Sequence, residues 1–335
     1  MRAASFWFLV FDVFFILNDI SGQYFSYPKN NPVELGKVNW IRDYDRAISL
    51  AVEKKLPILI LFQEVPGCSN CTTFGNEILS DPLIAEAIES CFIPLCIYNN
   101  IEGPDRKVLN KYNEPTWNNP VVRIIDNGGQ DLIPRLPDFR KKHSILSGMT
   151  EAISKSGRIV PEYLKMLKEE VYSRELGELS DVYFSMFCFW SGEKEIGGID
   201  GVISTEAGYM NGHEVVKIEY RKDKITLDQL YKNASGKGCG DAVFGSVNAK
   251  TKLTIKPTGK YTKDSEDKYY LLHSPYKSIP MTELQKMKVN RALAFGEKPD
   301  YLLSPRQLSV LNYKNKEVSH ISDNIMDAWW ISLEK

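Results

Sequence analysis

The run Leu56-Pro57-Ile58-Leu59-Ile60-Leu61-Phe62 constrains the fold more than any other stretch of the chain. An unbroken apolar segment of strand length has no polar face to offer solvent, so it reads as a strand buried on both sides at the centre of a sheet. It passes directly into Val65-Pro66-Gly67-Cys68-Ser69-Asn70-Cys71. Cys68 then stands at the carboxyl end of a buried strand and at a helix N-terminus, where free backbone N–H groups favour a thiolate. Cys71 lies one helical turn on, within reach of a disulfide.

Hydrophobic periodicity predicts the surroundings of that strand. A helix is expected over 43–54 with Asp43 near its start, then a helical pattern over 72–89 broken at Pro82. A strand follows over 92–98. Asn118-Asn119-Pro120 leads into a strand over 121–125, and Asp126-Asn127-Gly128-Gly129 reads as a hairpin turn. Helices are expected near 144–156 and 161–175. This order resembles the thioredoxin fold from Val38 to about Glu175. The resemblance implies a redox-active Cys68–Cys71 disulfide and a cis peptide bond at Pro120, facing the disulfide and orienting a bound thiol partner. The competing reading of Cys68 and Cys71 is half of a zinc site, which needs four ligands. Cys91 and Cys96, read as flanking and lying in one strand at opposite parity, would point to opposite faces and serve as packing residues.

The second half turns on Phe187-Cys188-Phe189-Trp190-Ser191-Gly192-Glu193. A strand is expected over 182–187 and a helix start over 192–199, so Cys188 falls at a strand-to-helix junction. There the helix dipole favours a thiolate, and the two aromatics beside it can form an apolar pocket. The alternative is a buried cysteine ending a core strand. Glu214–Tyr220 alternates like a strand, and a helix over 226–234 is capped by Thr226 or Asp228. Gly236-Lys237-Gly238-Cys239-Gly240 reads as a mobile loop carrying either a resolving thiol or a surface cysteine without a role. Tyr269-Tyr270, helices over 280–293 and 304–311, and Trp329-Trp330 mark the remainder.

Cys188-Phe189-Trp190, Gly201-Val202, Ser204-Thr205-Glu206, Gly208-Tyr209, Gly212-His213-Glu214-Val215-Val216 and Tyr220 resemble the core of the MsrA-type peptide methionine sulfoxide reductases, over roughly Tyr183 to Tyr231. The resemblance implies that Cys188 is the nucleophile, that Phe189 and Trp190 hold the substrate methyl group, and that Glu214 is the proton donor to the sulfoxide oxygen. The chain departs from the family pattern at Phe187, where the family carries glycine, and at Ser191. It also lacks a long loop that brings a tyrosine to the oxygen: only Met210 and Asn211 separate Tyr209 from Gly212. Tyr269, Tyr270 or Tyr276 could supply such a hydroxyl. The Val-Pro-Gly-Cys stretch is similar to thioredoxin-like proteins fused to an MsrA-like half, in some of which selenocysteine takes the first position.

The expected architecture is therefore α/β: a leader over 1–22, a thioredoxin-like domain over 36–176, an α+β MsrA-like domain over 179–256 and a C-terminal extension over 257–335. The leader reading comes from Arg2 followed by a short apolar run, with Ser21 and Gly22 at a plausible cleavage point, and implies export. A net charge of −1 with no basic block argues against nucleic acid as a partner, and six cysteines in 335 residues are too few for a disulfide-built scaffold. The expected partners are oxidised protein or peptide methionine and a thiol reductant, with no cofactor, no metal and no stable membrane insertion once the leader is removed. The expected activity is peptide methionine sulfoxide reduction, with Cys239 resolving and Cys68–Cys71 as reductant. The alternative is a thiol–disulfide oxidoreductase whose MsrA-like half no longer reduces sulfoxides.

Overall fold

A computed structural model describes residues 30–67, 69–136, 141–246 and 251–313. The leader expected over 1–22, Cys68 and the Trp329-Trp330 pair lie outside these residues.

The apolar run forms β1 (Ile58–Gln63), the middle strand of a three-stranded sheet, flanked by α1 (Tyr44–Lys54) and α2 (Ser69–Glu77) in the chain. After α3 (Pro82–Cys91) the chain returns as β2 (Ile93–Tyr98), parallel to β1. Then come α4 (Pro104–Lys111) and β3 (Val121–Ile125), which pairs antiparallel on the other side of β1. Every residue of β1 is buried. Its two faces feed two cores, as strand alternation requires. Ile58, Ile60 and Phe62 pack with Ala47, Ala51, Val108 and Leu109 of α1 and α4. Leu59 and Leu61 pack with α3 and with α5 (Lys142–Lys155) and α6 (Glu162–Glu175).

The local signals explain most boundaries. Asp43 caps α1 by accepting from the Arg46 N–H, a contact of about 1 kcal/mol. Pro82 starts α3 as its first residue, with Asp81 accepting from Leu83 and Ile84. The hairpin expected after β3 is reduced to a single bridge, Ile125 to Asp131. Cys91 closes α3 instead of flanking a strand, and it shares one core with Cys96. Burial pushes both thiols up, Cys96 to about 12. α4 has no counterpart in the sequence expectations.

The second sheet has the order β8-β7-β4-β6-β5-β9. β4 (Leu179–Ser185) leads into α7 (Phe189–Ile196), and β5 (Val202–Met210) and β6 (His213–Arg221) form a hairpin across Asn211 and Gly212, both at positive φ. α8 (Leu227–Ser235) carries a capping box from Thr226 and Gln229. The edges are β7 (Ala242–Phe244), β8 (Ile255–Lys256) and β9 (Tyr261–Lys263). One face of this sheet packs against α7, α8, α9 (Tyr269–Leu272) and α10 (Glu283–Ala294) in a single core. Residues after 256 thus complete the sheet and its core. The strand expected to reach Phe187 stops at Ser185, and Phe187 is exposed.

Several contacts join the halves among the described residues, including the ion pairs of Glu169 with Arg221 and of Arg174 with Glu219. On α6, Met166 packs into the second core while Tyr163, Leu164 and Leu167 pack into the first. At the far end, α11 (Pro305–Tyr313) seats its start on α3: Glu86 accepts from Ser304 Oγ at 2.7 Å and from the Arg306 N–H at 2.7 Å, and Arg306 pairs with Glu89.

Candidate functional site: two sulfur centres

The first centre lies at the carboxyl end of β1. Cys71 is buried in the first turn of α2, and its Sγ donates to Asn119 Oδ1 at 3.1 Å. The Asn119–Pro120 peptide bond is cis, as is Val65–Pro66. Gln63 Nε2 donates to the carbonyls of Glu34 (2.7 Å) and Cys71 (3.2 Å), and the Gly67 N–H donates to Glu34 Oε1 at 2.7 Å. These bonds tie the strand end, the turn and the helix start together beside Cys71. Trp117, three residues before Pro120, is 81% exposed.

The second centre is built at the start of α7. Cys188 occupies the N-cap in an extended conformation (φ −139°, ψ 110°), half-buried, and makes no side-chain cap bond. The first free N–H of the helix, that of Phe189, donates instead to Glu214 Oε2 at 2.9 Å. The carboxyl of Glu214 therefore sits at the same helix end as Cys188. Its position follows from register. The Met186 N–H donates to the Glu214 carbonyl at 3.1 Å, so the β4–β6 ladder extends up to the junction.

Aromatic rings wall the site. Phe189 is buried, edge-on to Tyr209 (5.2 Å between centroids) and 5.5 Å from Trp190. Trp190 stacks on Tyr269 at 4.2 Å, and its Nε1 donates to Asp264 Oδ2 at 3.2 Å. Asp264 follows β9 and is held by its N–H on the Ala207 carbonyl. Tyr209 is the direct cross-strand partner of Glu214 and is 46% exposed. Its phenol is pushed above the usual value by lost solvation and by the charges of Asp264 and Glu214. Among the described residues its hydroxyl has no hydrogen-bond partner. Tyr209 and Asp264 were not singled out as site residues from sequence. The signal was present for Tyr209: counting outward from a two-residue Asn-Gly turn pairs Met210 with His213 and Tyr209 with Glu214. Of the three tyrosines considered for the missing hydroxyl, Tyr269 lies at the site through Trp190 and Tyr270 packs edge-on to it. Tyr276 is buried and donates to Asp300 at 2.6 Å.

Beneath the wall, Glu193 of α7 accepts from Lys268 Nζ (2.5 Å), from the Lys268 N–H (3.0 Å) and from Thr205 Oγ1 (3.2 Å). Burial opposes the Lys268 ammonium, yet Glu193 and Asp267 hold its proton above the usual value.

Cys239 is 4% exposed, and its loop is pinned. The Gly240 and Asp241 N–H groups both donate to the Ser185 carbonyl, at 3.1 and 2.7 Å, which sets the loop beside the end of β4, three residues before Cys188. Burial, then the charge of Glu195, pushes the Cys239 thiol up. His213 is exposed on the hairpin. Among the described residues no group of three or more His, Cys, Asp or Glu side chains gathers as a metal site.

Residues 39–127 match the family model described as thioredoxin-like. The peptide methionine sulfoxide reductase MsrA of Methanococcus maripaludis is 42% identical over 64 residues, covering 14% of this chain and 41% of that protein. The corresponding MsrA of Mycoplasma genitalium is 28% identical over 154 residues, covering 37% of this chain and 92% of that protein. The chain thus spans about two fifths of the length of the first of these relatives. Among solved structures, a thioredoxin from Thermus thermophilus aligns with a TM-score of 0.32 at 20% identity, covering 36% of this chain and 90% of that one. A DsbH oxidoreductase aligns at 0.31 and 16%, covering 38% and 93%. The molecule is a mixed α/β protein with an N-terminal thioredoxin-like domain. Together with the similarity to MsrA over part of the chain, this supports a redox function of the oxidoreductase class.

Proposed function

We propose that the chain reduces methionine sulfoxide in peptides or proteins at Cys188 and is recharged by its own thioredoxin-like half. The observation that carries this is the 2.9 Å bond from the Phe189 N–H to Glu214, which puts a carboxyl and a half-buried thiol at one helix end under an aromatic wall. The sulfoxide sulfur is electrophilic and its oxygen basic. The Cys188 thiolate attacks the sulfur while Glu214 protonates the oxygen. The oxygen passes to Cys188 as a sulfenic acid, and methionine leaves with its sulfur reduced. Phe189 and Trp190 hold the methyl group. Tyr209, beside Glu214 with a free hydroxyl, donates a hydrogen bond to the same oxygen. Cys239 then condenses with the sulfenic acid, releasing water and forming a disulfide, which the Cys68–Cys71 dithiol reduces by exchange. Because Cys239 starts buried, its loop must open at Gly238 and Gly240 for this step.

The test is sulfoxide turnover with a small dithiol reductant. Turnover lost in Cys188→Ser and kept in Cys68→Ser is expected; with no dithiol added, Cys239→Ser should stop after one round at a trappable sulfenic acid. A second reading has one observation in its favour. β5 and β6 are joined by the two-residue Asn211–Gly212 turn, so that connection itself carries no loop to cover the site. On that reading the chain is a thiol–disulfide oxidoreductase, and disulfide reduction without turnover of any sulfoxide would establish it.

A further inference from the structure

Phe187 is 94% exposed, and among the described residues no large apolar side chain is more exposed. Its position explains why it is not packed. β4 ends at Ser185, Met186 turns into the second core, and Gly192 leaves the space that the Met186 Sδ occupies. Phe187 lies past the last paired residue of the strand, so neither core can take it. It contributes almost nothing to the folded state by burial. Yet it is bonded directly to Cys188, and on the other side of that residue stand Phe189 and the partly buried Trp190, the first two residues of α7. Lone exposed apolar side chains are ordinary on protein surfaces. This one is the chain neighbour of Cys188, so a substrate reaching that thiol passes beside it.

We infer that Phe187 is a specificity-determining residue that grips an apolar side chain next to the reacting residue, so that the site selects methionine sulfoxide within a polypeptide over the free amino acid. This rests on the sulfoxide-reductase reading of the site. A free amino acid has no flanking side chain to cover Phe187. It also brings an ammonium and a carboxylate, which an apolar ring cannot solvate. An apolar neighbour in a peptide shares buried area with the ring and gains the corresponding transfer free energy.

The experiment compares three substrates: a peptide with methionine sulfoxide between two leucines, the same peptide with two glycines, and free methionine sulfoxide. Phe187→Ala is expected to lower kcat/KM on the leucine-flanked peptide about tenfold, through KM, as expected for partial loss of a buried aromatic contact. Turnover of the other two substrates and the Tm should hold. An equal loss on all three, or none on the leucine-flanked peptide, overturns the inference. If the wild-type chain turns over no sulfoxide, the reductase reading falls by itself. Binding of the leucine-flanked peptide to the Cys188→Ser chain then decides for Phe187. Binding weakened by Phe187→Ala sustains its role, and binding that is absent or unchanged ends it.

Discussion

Cys188 and Glu214 sit 26 residues apart in sequence and at one helix end in space, and the chemistry proposed for the site depends on that placement. The thiol and the strand that feeds it could be read from the sequence, because a cysteine between an apolar run and a polar segment marks a junction. The partners Tyr209 and Asp264 were harder to find. A tyrosine and an aspartate in mixed segments carry no periodic signal, and only hairpin register and the β9 pairing bring them to Trp190 and Phe189. Glu214→Gln should lower kcat for sulfoxide reduction about 100-fold, the scale of a general acid, while leaving alkylation of Cys188 possible. On the proposed mechanism Tyr209→Phe should lower kcat about tenfold with little change in Tm, since among the described residues its hydroxyl has no hydrogen-bond partner to lose. A Tyr209→Phe chain with full activity would remove the phenol from the mechanism.

At the scale of elements, α7 is the piece that must not move. It carries Cys188, Phe189 and Trp190, and it is anchored by Glu193 on Lys268 and Thr205. Lys268 has a left-handed backbone (φ 61°), which turns its side chain under α7 while the next residue, Tyr269, rises to stack on Trp190. Removing one member of a buried ion pair leaves the other unsolvated, so Lys268→Met should cost about 3 kcal/mol in chemical denaturation. It should also loosen Trp190, which indole fluorescence would register. The sequence showed α1, β1, the break at Pro82 and α8 through local signals: an Asp cap, an apolar run, a proline and a capping box. It hid α4, whose buried apolar residues are Val108 and Leu109, because its third buried position, Asp105, is matched to Arg42 across the fold at 2.6 Å.

At the scale of the whole molecule, the halves are joined by a polar clasp between residues more than 200 positions apart. Burial raises Glu86 from 4.5 to about 7, against the pull of Arg306. Between those two pH values the folded chain keeps a proton that the unfolded chain has lost. Stability is therefore greatest at the acidic side and falls as pH rises through the window, by up to about 3 kcal/mol for a shift of this size. Glu89 is raised in the same direction, by burial first. Denaturation midpoints should fall from about pH 5 to about pH 8 in the wild-type chain and fall less in Glu86→Gln, which has no proton to lose there. Parallel slopes for the two chains would show that Glu86 does not titrate in this window.

What the sequence determined by itself was local: which runs bury both faces, where helices begin, and which sulfur stands at each junction. Those features follow from neighbours along the chain, where periodicity, caps and prolines act over a few residues. Only the tertiary structure decided that Asp264 reaches Trp190, that Cys239 is buried beside the end of β4, that Phe187 has no core to enter, and that Glu86 receives the start of α11. Each of these is set by strand register or by packing between distant segments, where the free energy comes from partners the local sequence does not contain.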